Sequence, residues 1–291
     1  MNYPKVSIVT ITYGHENYII ETLKGVLKQQ YNGEIEFIIS NDASPDKTNE
    51  VLQDYLSENH IPENIKIDYT NHQNNLGIMP NSLWALNRAS GDYVAICDGD
   101  DYWTDALKIQ KQVDYLEMNK EYILVGHNVQ IFDNETNIVL NESFPFVDHK
   151  KTISEDFIFK KNYIPTLSMM YRNVSKIPNW ILDCKIGDYP LILYFSQFGR
   201  IGFINDVMAS YRSNSGYHSS ISKINQTEML ISSLRIVMSK IQLSNKSKNL
   251  LNYQLLNLEI KQKKNKQAFL TIIQSKLSVY LKLKVLFNKF L

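Results

Sequence analysis

The sequence predicts an α/β fold with a mainly parallel central sheet, and three observations predict it. Residues 5–13 (KVSIVTITY), 35–42 (IEFIISND) and 91–98 (GDYVAICD) are short apolar runs rich in β-branched residues. Such runs fit strands buried on both faces. Helical patterns lie between them, and the order β-α-β-α-β-α-β repeats within the first hundred residues. That alternation marks parallel strands joined by helical crossovers.

Each element follows in order. Residues 16–30 carry Ile19, Leu23, Val26 and Leu27 at helical spacing. Residues 44–56 open with Ser44 as the expected N-cap and Pro45 at the first helical position. Residues 66–71 read as a short strand and 81–89 as a helix. After the 91–98 strand come a helix over 105–119 and a strand over 122–133. Residues 134–165 are irregular. A strand follows over 166–172, then a helix over 187–199 with Asp188 near its N-cap. Residues 200–212 read as a strand with a turn inside it, and the chain is helical from about 225.

The 291 residues are 44% hydrophobic and include 18 tyrosines and 12 phenylalanines, enough for a substantial core and against disorder. Cys97 and Cys184 have no zinc or redox spacing and are expected to be free, buried thiols. No signal-peptide pattern and no long uncharged apolar run are visible, so a cytoplasmic chain is expected, peripheral on the plasma membrane if its tail binds lipid. The net charge of +1 hides a split. Residues 1–220 hold 18 basic and 28 acidic side chains, and residues 221–291 hold 13 and 2. The expected organisation is therefore a catalytic body over 1–220 and a basic helical extension over 221–291.

In parallel α/β sheets ligands sit beyond the C-terminal strand ends. Three polar stretches fall there: TYGH (12–15), NDAS (41–44) and DGDD (98–101). The last puts Asp98, Asp100 and Asp101 directly after a buried strand, where they repel one another. Mg²⁺ and Mn²⁺ prefer carboxylate oxygens and bind through one or two carboxylates plus substrate phosphates. Gly99 lets both flanking acids bend toward one point. A solvated surface turn is the plainer alternative.

Four stretches in order resemble the family 2 glycosyltransferases of the GT-A fold: residues 6–31, 36–48, 74–77 (NNLG) and 89–103 (ASGDYVAICDGDDYW). The resemblance weakens after 105 and resumes over 187–216. It implies a GT-A fold with a C-terminal helical extension, and a nucleoside-diphosphate sugar as donor. Tyr13 would lie against the base, and Asp42 matches the acid that accepts a base N–H. An Asx turn is the structural alternative for Asp42. Gly14 stands where the family usually has Asn. Asp98 would face the ribose or a metal-bound water and Asp100 would bind Mn²⁺ or Mg²⁺. Asp101 would share either role or cap the next turn.

The resemblance also implies that Asp188 is the base of an inverting transfer, taking the acceptor hydroxyl's proton late in bond formation. Asp188 matches the second acid of a Glu-Asp motif whose first acid is Gly187 here. Arg212 and His218 follow in YRSNSGYHS. Arg212 is a candidate phosphate ligand. The position of His218 resembles that of a metal-binding histidine in the family. The alternatives are a helix cap for Asp188, a surface arginine and a solvent histidine.

Residues 266–291 place Phe269, Ile273, Leu277, Tyr280 and Phe287 along one helical side, interrupted by Lys276, Lys282, Lys284 and Lys289. A basic amphipathic helix suits an anionic membrane surface, packing on the catalytic body, or a homodimer. A glycan or lipid-linked oligosaccharide of bacterial surface polysaccharide is the expected acceptor, from the resemblance and this tail together. Nucleic acid is not an expected partner, because no aromatic stacking module accompanies the lysines. Two other functions compete: an inactive sugar- or nucleotide-binding protein, and a sugar-phosphate nucleotidyltransferase. The latter needs a glycine-rich loop after the first strand, where TYGHENY has one glycine.

Overall fold

The structure is a computed structural model. It describes residues 3–136, 138–141, 152–153, 162, 164–213, 215, 221–262, 272, 275 and 282. The strands are β1 (Val6–Thr12), β2 (Ile35–Asn41), β3 (Ile65–Asn71), β4 (Tyr93–Ile96), β5 (Tyr102–Trp103), β6 (Tyr122–Asp133), β7 (Ile138–Asn141), β8 (Thr152–Ile153), β9 (Met170–Arg172) and β10 (Arg200–Ser213). The helices are α1 (Ile19–Leu27), α2 (Thr48–Glu58), α3 (Ile78–Arg88), α4 (Lys108–Met118), α5 (Asp188–Phe195), α6 (Lys223–Lys240) and α7 (Asn245–Gln262).

The α/β fold is as expected. The sheet runs β3-β2-β1-β4-β9-β6-β10-β5, with β7 on β6 and β8 on β10. The first four strands in this order are mutually parallel, joined by the crossovers the sequence pattern predicts. The second half is mixed: β9 is antiparallel to both β4 and β6, while β6 and β10 are parallel.

Alternation along each strand divides the core. Ile8, Phe37 and Ile39 pack with Ile19 and Leu23 of α1, Leu52 of α2 and Val113 of α4. Val9, Ile38 and Ile96 face the other way, onto Leu83 of α3, Tyr189 and Leu193 of α5, and Leu234 of α6. Each such side chain fully removed from water stabilises the fold by about 1.5–3 kcal/mol. Helices α6 and α7 contribute Ile231, Val237, Leu251 and Leu255 to this second layer, so residues 223–262 share a core with the sheet, α3 and α5. Cys97 and Cys184 are both buried and free. Among the described residues no helix is long and apolar enough to cross a membrane.

Three elements differ from expectation. Helix α2 starts at Thr48, and Ser44 does not cap it. The Ser44 hydroxyl is committed elsewhere, donating to Asn41 Oδ1 at 2.5 Å and accepting the Gly14 N–H at 3.0 Å. Lys47 stands at the N-cap without a side-chain bond, and Asp46 before it accepts from the Thr48 N–H at 3.0 Å. Residues 200–212 hold no turn: β10 runs through Ser213, with register shifts between Ile204 and Ala209 as its irregularity. Residues 166–168 are a 3₁₀ turn that precedes a strand of only three residues. The amphipathic pattern over 266–291 lies almost entirely outside the described residues.

Candidate active site

The three polar stretches stand at the C-terminal ends of β1, β2 and β4. Main-chain pairing with β1 carries past β4, with Cys97 N–H on Val9 O at 3.0 Å and Gly99 N–H on Ile11 O at 2.9 Å. The chain then turns, with Asp101 N–H donating to Asp98 O at 3.0 Å. Thr22 of α1 holds the turn from below, its hydroxyl lying 3.1 Å from Gly99 O and 2.7 Å from Asp101 O. A Cβ on Gly99 would sit 2.7 Å from Thr12 Oγ1 and 2.9 Å from His15 Nδ1, so this turn requires glycine.

Three carboxylates converge here. Burial is the largest influence on Asp98 and, with the charges of Asp100 and Asp188, pushes its carboxyl up to about 7. Asp188 thus comes from the start of α5 to the acid turn, although 87 positions separate it from Asp101. Asn162 Nδ2 donates to Asp188 Oδ2 at 2.7 Å and orients it. Asp100 Oδ2 accepts from Ser215 Oγ at 3.2 Å. Asp101 is buried, and burial followed by Asp100 raises its carboxyl well above the usual carboxylate range, while the neighbouring Arg212 opposes the rise. Asp101 therefore belongs to the interior of the turn.

The residues just past β1 and β2 sit on two loops joined to each other. Tyr13 is half-exposed just past β1. Beyond it Gly14 adopts φ +73°, the left-handed region that glycine reaches without steric cost. The His15 N–H donates to Thr48 Oγ1 at 2.8 Å, Glu16 N–H to Asp46 Oδ2 at 3.1 Å, and Lys47 N–H to Glu16 Oε2 at 2.9 Å. Asp42 is 3% exposed. Its two oxygens accept the N–H groups of Leu76 at 2.7 Å and Gly77 at 2.9 Å, so this carboxylate clamps the NNLG loop. A carboxylate has about four lone-pair sites, which leaves acceptor capacity for a base.

Arg212 is placed differently from the open loop that the sequence predicts. It lies near the end of β10, 5% exposed, with its guanidinium directed at protein acceptors. His218 lies outside the described residues. Among the described residues no three His, Cys, Asp or Glu side chains form a ready metal cage.

Several residues at the site carry no sequence signal that singles them out. His15 lies beside Asp100 and Asp46; burial lowers its pKa and those charges oppose the fall. Burial, then Asp101, Asp100, Asp98 and Asp188 push the Tyr211 hydroxyl up to about 12, which puts it in the field of all four acids. Asn162 falls in a stretch with no periodic pattern. Only the nearness of Tyr211 to Arg212, and of His15 to Tyr13, could have flagged those two.

Residues 7–177 match the family described as Glycosyl transferase family 2, more than half of the chain. The chain belongs to that family. It carries a glycosyltransferase domain, and the Asp98–Asp101 turn lies within the matched residues. The chain is 33% identical over 200 residues to a putative glycosyltransferase, EpsE, of Bacillus subtilis, covering 69% of each chain. It is 30% identical to the putative teichuronic acid biosynthesis glycosyltransferase TuaG of the same organism, covering 72% of this chain and 79% of that one. It is also 32% identical to an uncharacterized protein of Mycobacterium tuberculosis, of whose length it spans 58%. Its fold matches the structure of Staphylococcus aureus TarS in complex with UDP-GlcNAc, with a TM-score of 0.63 at 17% identity, covering 98% of this chain and 80% of that one. It also matches the Pyrobaculum calidifontis mannosyltransferase PcManGT in complex with GDP-Man and Mn²⁺, with a TM-score of 0.66 at 14% identity, covering 99% and 80%. The GT-A fold expected from the sequence is the one these structures share.

Proposed function

We propose that this glycosyltransferase is inverting and metal-dependent, and moves a sugar from a nucleoside-diphosphate donor, UDP-sugar first, to a glycan or lipid-linked oligosaccharide of surface polysaccharide. The observation that carries the reading is the convergence of Asp188 with Asp98 and Asp100. The charges of Asp100 and Asp188 add to burial in raising the proton affinity of Asp98, and a divalent ion with a diphosphate would relieve that repulsion. Asp100 and Asp98 are the residues that would hold Mn²⁺ or Mg²⁺, with His218 as a further candidate. The ion would supply charge neutralisation for the departing diphosphate.

The chain's own groups account for the rest. Tyr13 offers a ring face to the base, and Asp42 offers its remaining lone pairs to a base N–H. Asp188, oriented by Asn162, accepts the proton of the acceptor hydroxyl. The hydroxyl oxygen forms its bond to the anomeric carbon as the bond to the diphosphate oxygen breaks, and the nucleoside diphosphate leaves. The acceptor reading draws support from TuaG, named for teichuronic acid biosynthesis. Membrane docking of the basic tail at the cytoplasmic face, and dimerisation through it, are proposals that rest on the pattern over 266–291.

The test is calorimetric titration of UDP, GDP, CMP and dTDP with Mn²⁺ and then with chelator, on wild type and Asp188→Asn. We expect metal-dependent UDP binding, retained in Asp188→Asn while turnover falls by about 10²–10⁴-fold. Preference for another nucleotide would overturn the UDP assignment alone. Failure to bind any nucleotide would overturn the transferase reading in favour of an inactive binding protein.

A further inference from the structure

The end of β10 carries an arginine whose surroundings differ from those of a phosphate ligand. The Arg212 main-chain N–H donates to Asp101 Oδ1 at 2.8 Å, and its Nε donates to the Asp100 carbonyl at 2.9 Å. One residue thus grips the acid turn by side chain and backbone. Its Nη1 donates to Asn134 Oδ1 at 3.0 Å, and its Nη2 pairs with Glu21 of α1. Asn134 in turn donates to the Tyr18 hydroxyl at 2.9 Å. Aromatic rings surround the guanidinium carbon, with Tyr18 at 4.6 Å, Phe132 at 5.3 Å and Tyr102 at 5.5 Å from ring centroid.

Four separate segments therefore meet on Arg212: the start of α1, the acid turn, the end of β6 and the end of β10. Flat stacking of a planar cation and forked donation from it are what a guanidinium offers and an ammonium does not. The arginine's charge is balanced locally by Glu21. Its Nε contact fixes the carbonyl of Asp100, and so the direction in which the Asp100 side chain leaves the turn.

We propose that Arg212, braced by Glu21, is a positioning residue that sets the Asp98–Asp101 turn, and that it is not a ligand of the donor diphosphate. The proposal rests on the metal and donor reading of this site. Glu21 gives it a distinctive signature. That carboxylate is half-exposed on α1 and acts on the turn through Arg212. If Arg212 bound phosphate, removing the Glu21 charge would leave phosphate binding the same or stronger. If Arg212 is a latch, removing it loosens the turn.

Three measurements on Arg212→Lys and Glu21→Gln test this. Hydrogen exchange is followed in peptides covering 97–103 without metal or nucleotide, Mn²⁺ affinity by electron paramagnetic resonance, and UDP affinity at saturating Mn²⁺ by calorimetry. We expect exchange in the turn to speed up by about tenfold in Arg212→Lys, the scale of one lost charge-assisted hydrogen bond. Mn²⁺ affinity falls in parallel, UDP affinity at saturating Mn²⁺ stays within about twofold, and Glu21→Gln changes each quantity in the same direction by less. Unchanged exchange in both variants overturns the proposal, as does weakened UDP binding at saturating Mn²⁺ with Glu21→Gln silent. If Arg212→Lys does not fold, Glu21→Gln decides alone: faster exchange supports the latch and unchanged exchange overturns it. A wild-type protein that binds neither Mn²⁺ nor UDP overturns the function proposed above, while the exchange measurement still decides the latch.

Discussion

Replacing Asp98 by Asn in the metal-free protein should stabilise it at alkaline pH while abolishing transfer. Asp98 titrates at about 7 in the folded chain against a reference of 3.8. The folded state therefore holds this proton more tightly than the unfolded state does. As pH rises from about 4 to about 7 the unfolded chain ionises at this position and the folded chain does not, so stability falls; above about 7 the loss is complete and constant. Three pH units correspond to at most about 4 kcal/mol, and partial exposure with solvent screening reduces this to about 1–3 kcal/mol. Asparagine has the same shape and no charge, and it adds an N–H₂ donor facing Asp100 and Asp188. Urea unfolding of both proteins from pH 4 to pH 8.5, in chelator, reads the difference. The curves should coincide near pH 4 and separate to about 1–3 kcal/mol in favour of the variant by pH 8. Mn²⁺ should narrow the gap by stabilising wild type alone. A variant equal to or less stable than wild type at pH 8 would refute the claim that Asp98 is held against its neighbours' charges.

Ala43 sits at φ 54°, in the left-handed region, and Ala43→Gly should raise stability by about 0.5–1 kcal/mol, or about 1–4 °C in melting temperature by calorimetry, with activity kept. Gly99→Ala would press a Cβ onto Thr12 and His15; we expect about 1–3 kcal/mol of destabilisation in urea and weakened UDP–Mn²⁺ binding by calorimetry. Thr22→Val removes the hydroxyl that serves Gly99 O and Asp101 O, and should cost about 1–3 kcal/mol in urea unfolding while speeding exchange in the 98–101 turn.

The first hundred residues reveal their architecture in their pattern because each strand is a local apolar run and each crossover helix a local periodic one. Val6–Thr12, Ile35–Asn41 and Tyr93–Ile96 all fall within the runs that predict them. The DGDD turn was legible for the same reason: three acids within four positions after a buried strand are a local anomaly. Legibility fails where short elements depend on distant partners. The three residues of β9 become a strand by pairing with both β4 and β6. Ser44 looks like a helix cap until the Gly14 N–H and Asn41 claim its hydroxyl, and α2 then starts at Thr48.

By itself, the sequence determined the α/β alternation, the strand-end location of the site and the acid turn, because these follow from the order of neighbours along the chain. Tertiary structure alone decided which partners the polar side chains have. It turned Asp42 toward the backbone of Leu76 and Gly77, drew Asp188 to Asp98 and Asn162 to Asp188, and closed Arg212 among Glu21, Asn134 and three aromatic rings. A hydrogen bond or a charge acts over a few ångströms of space and is indifferent to separation along the chain, so only folding assigns it.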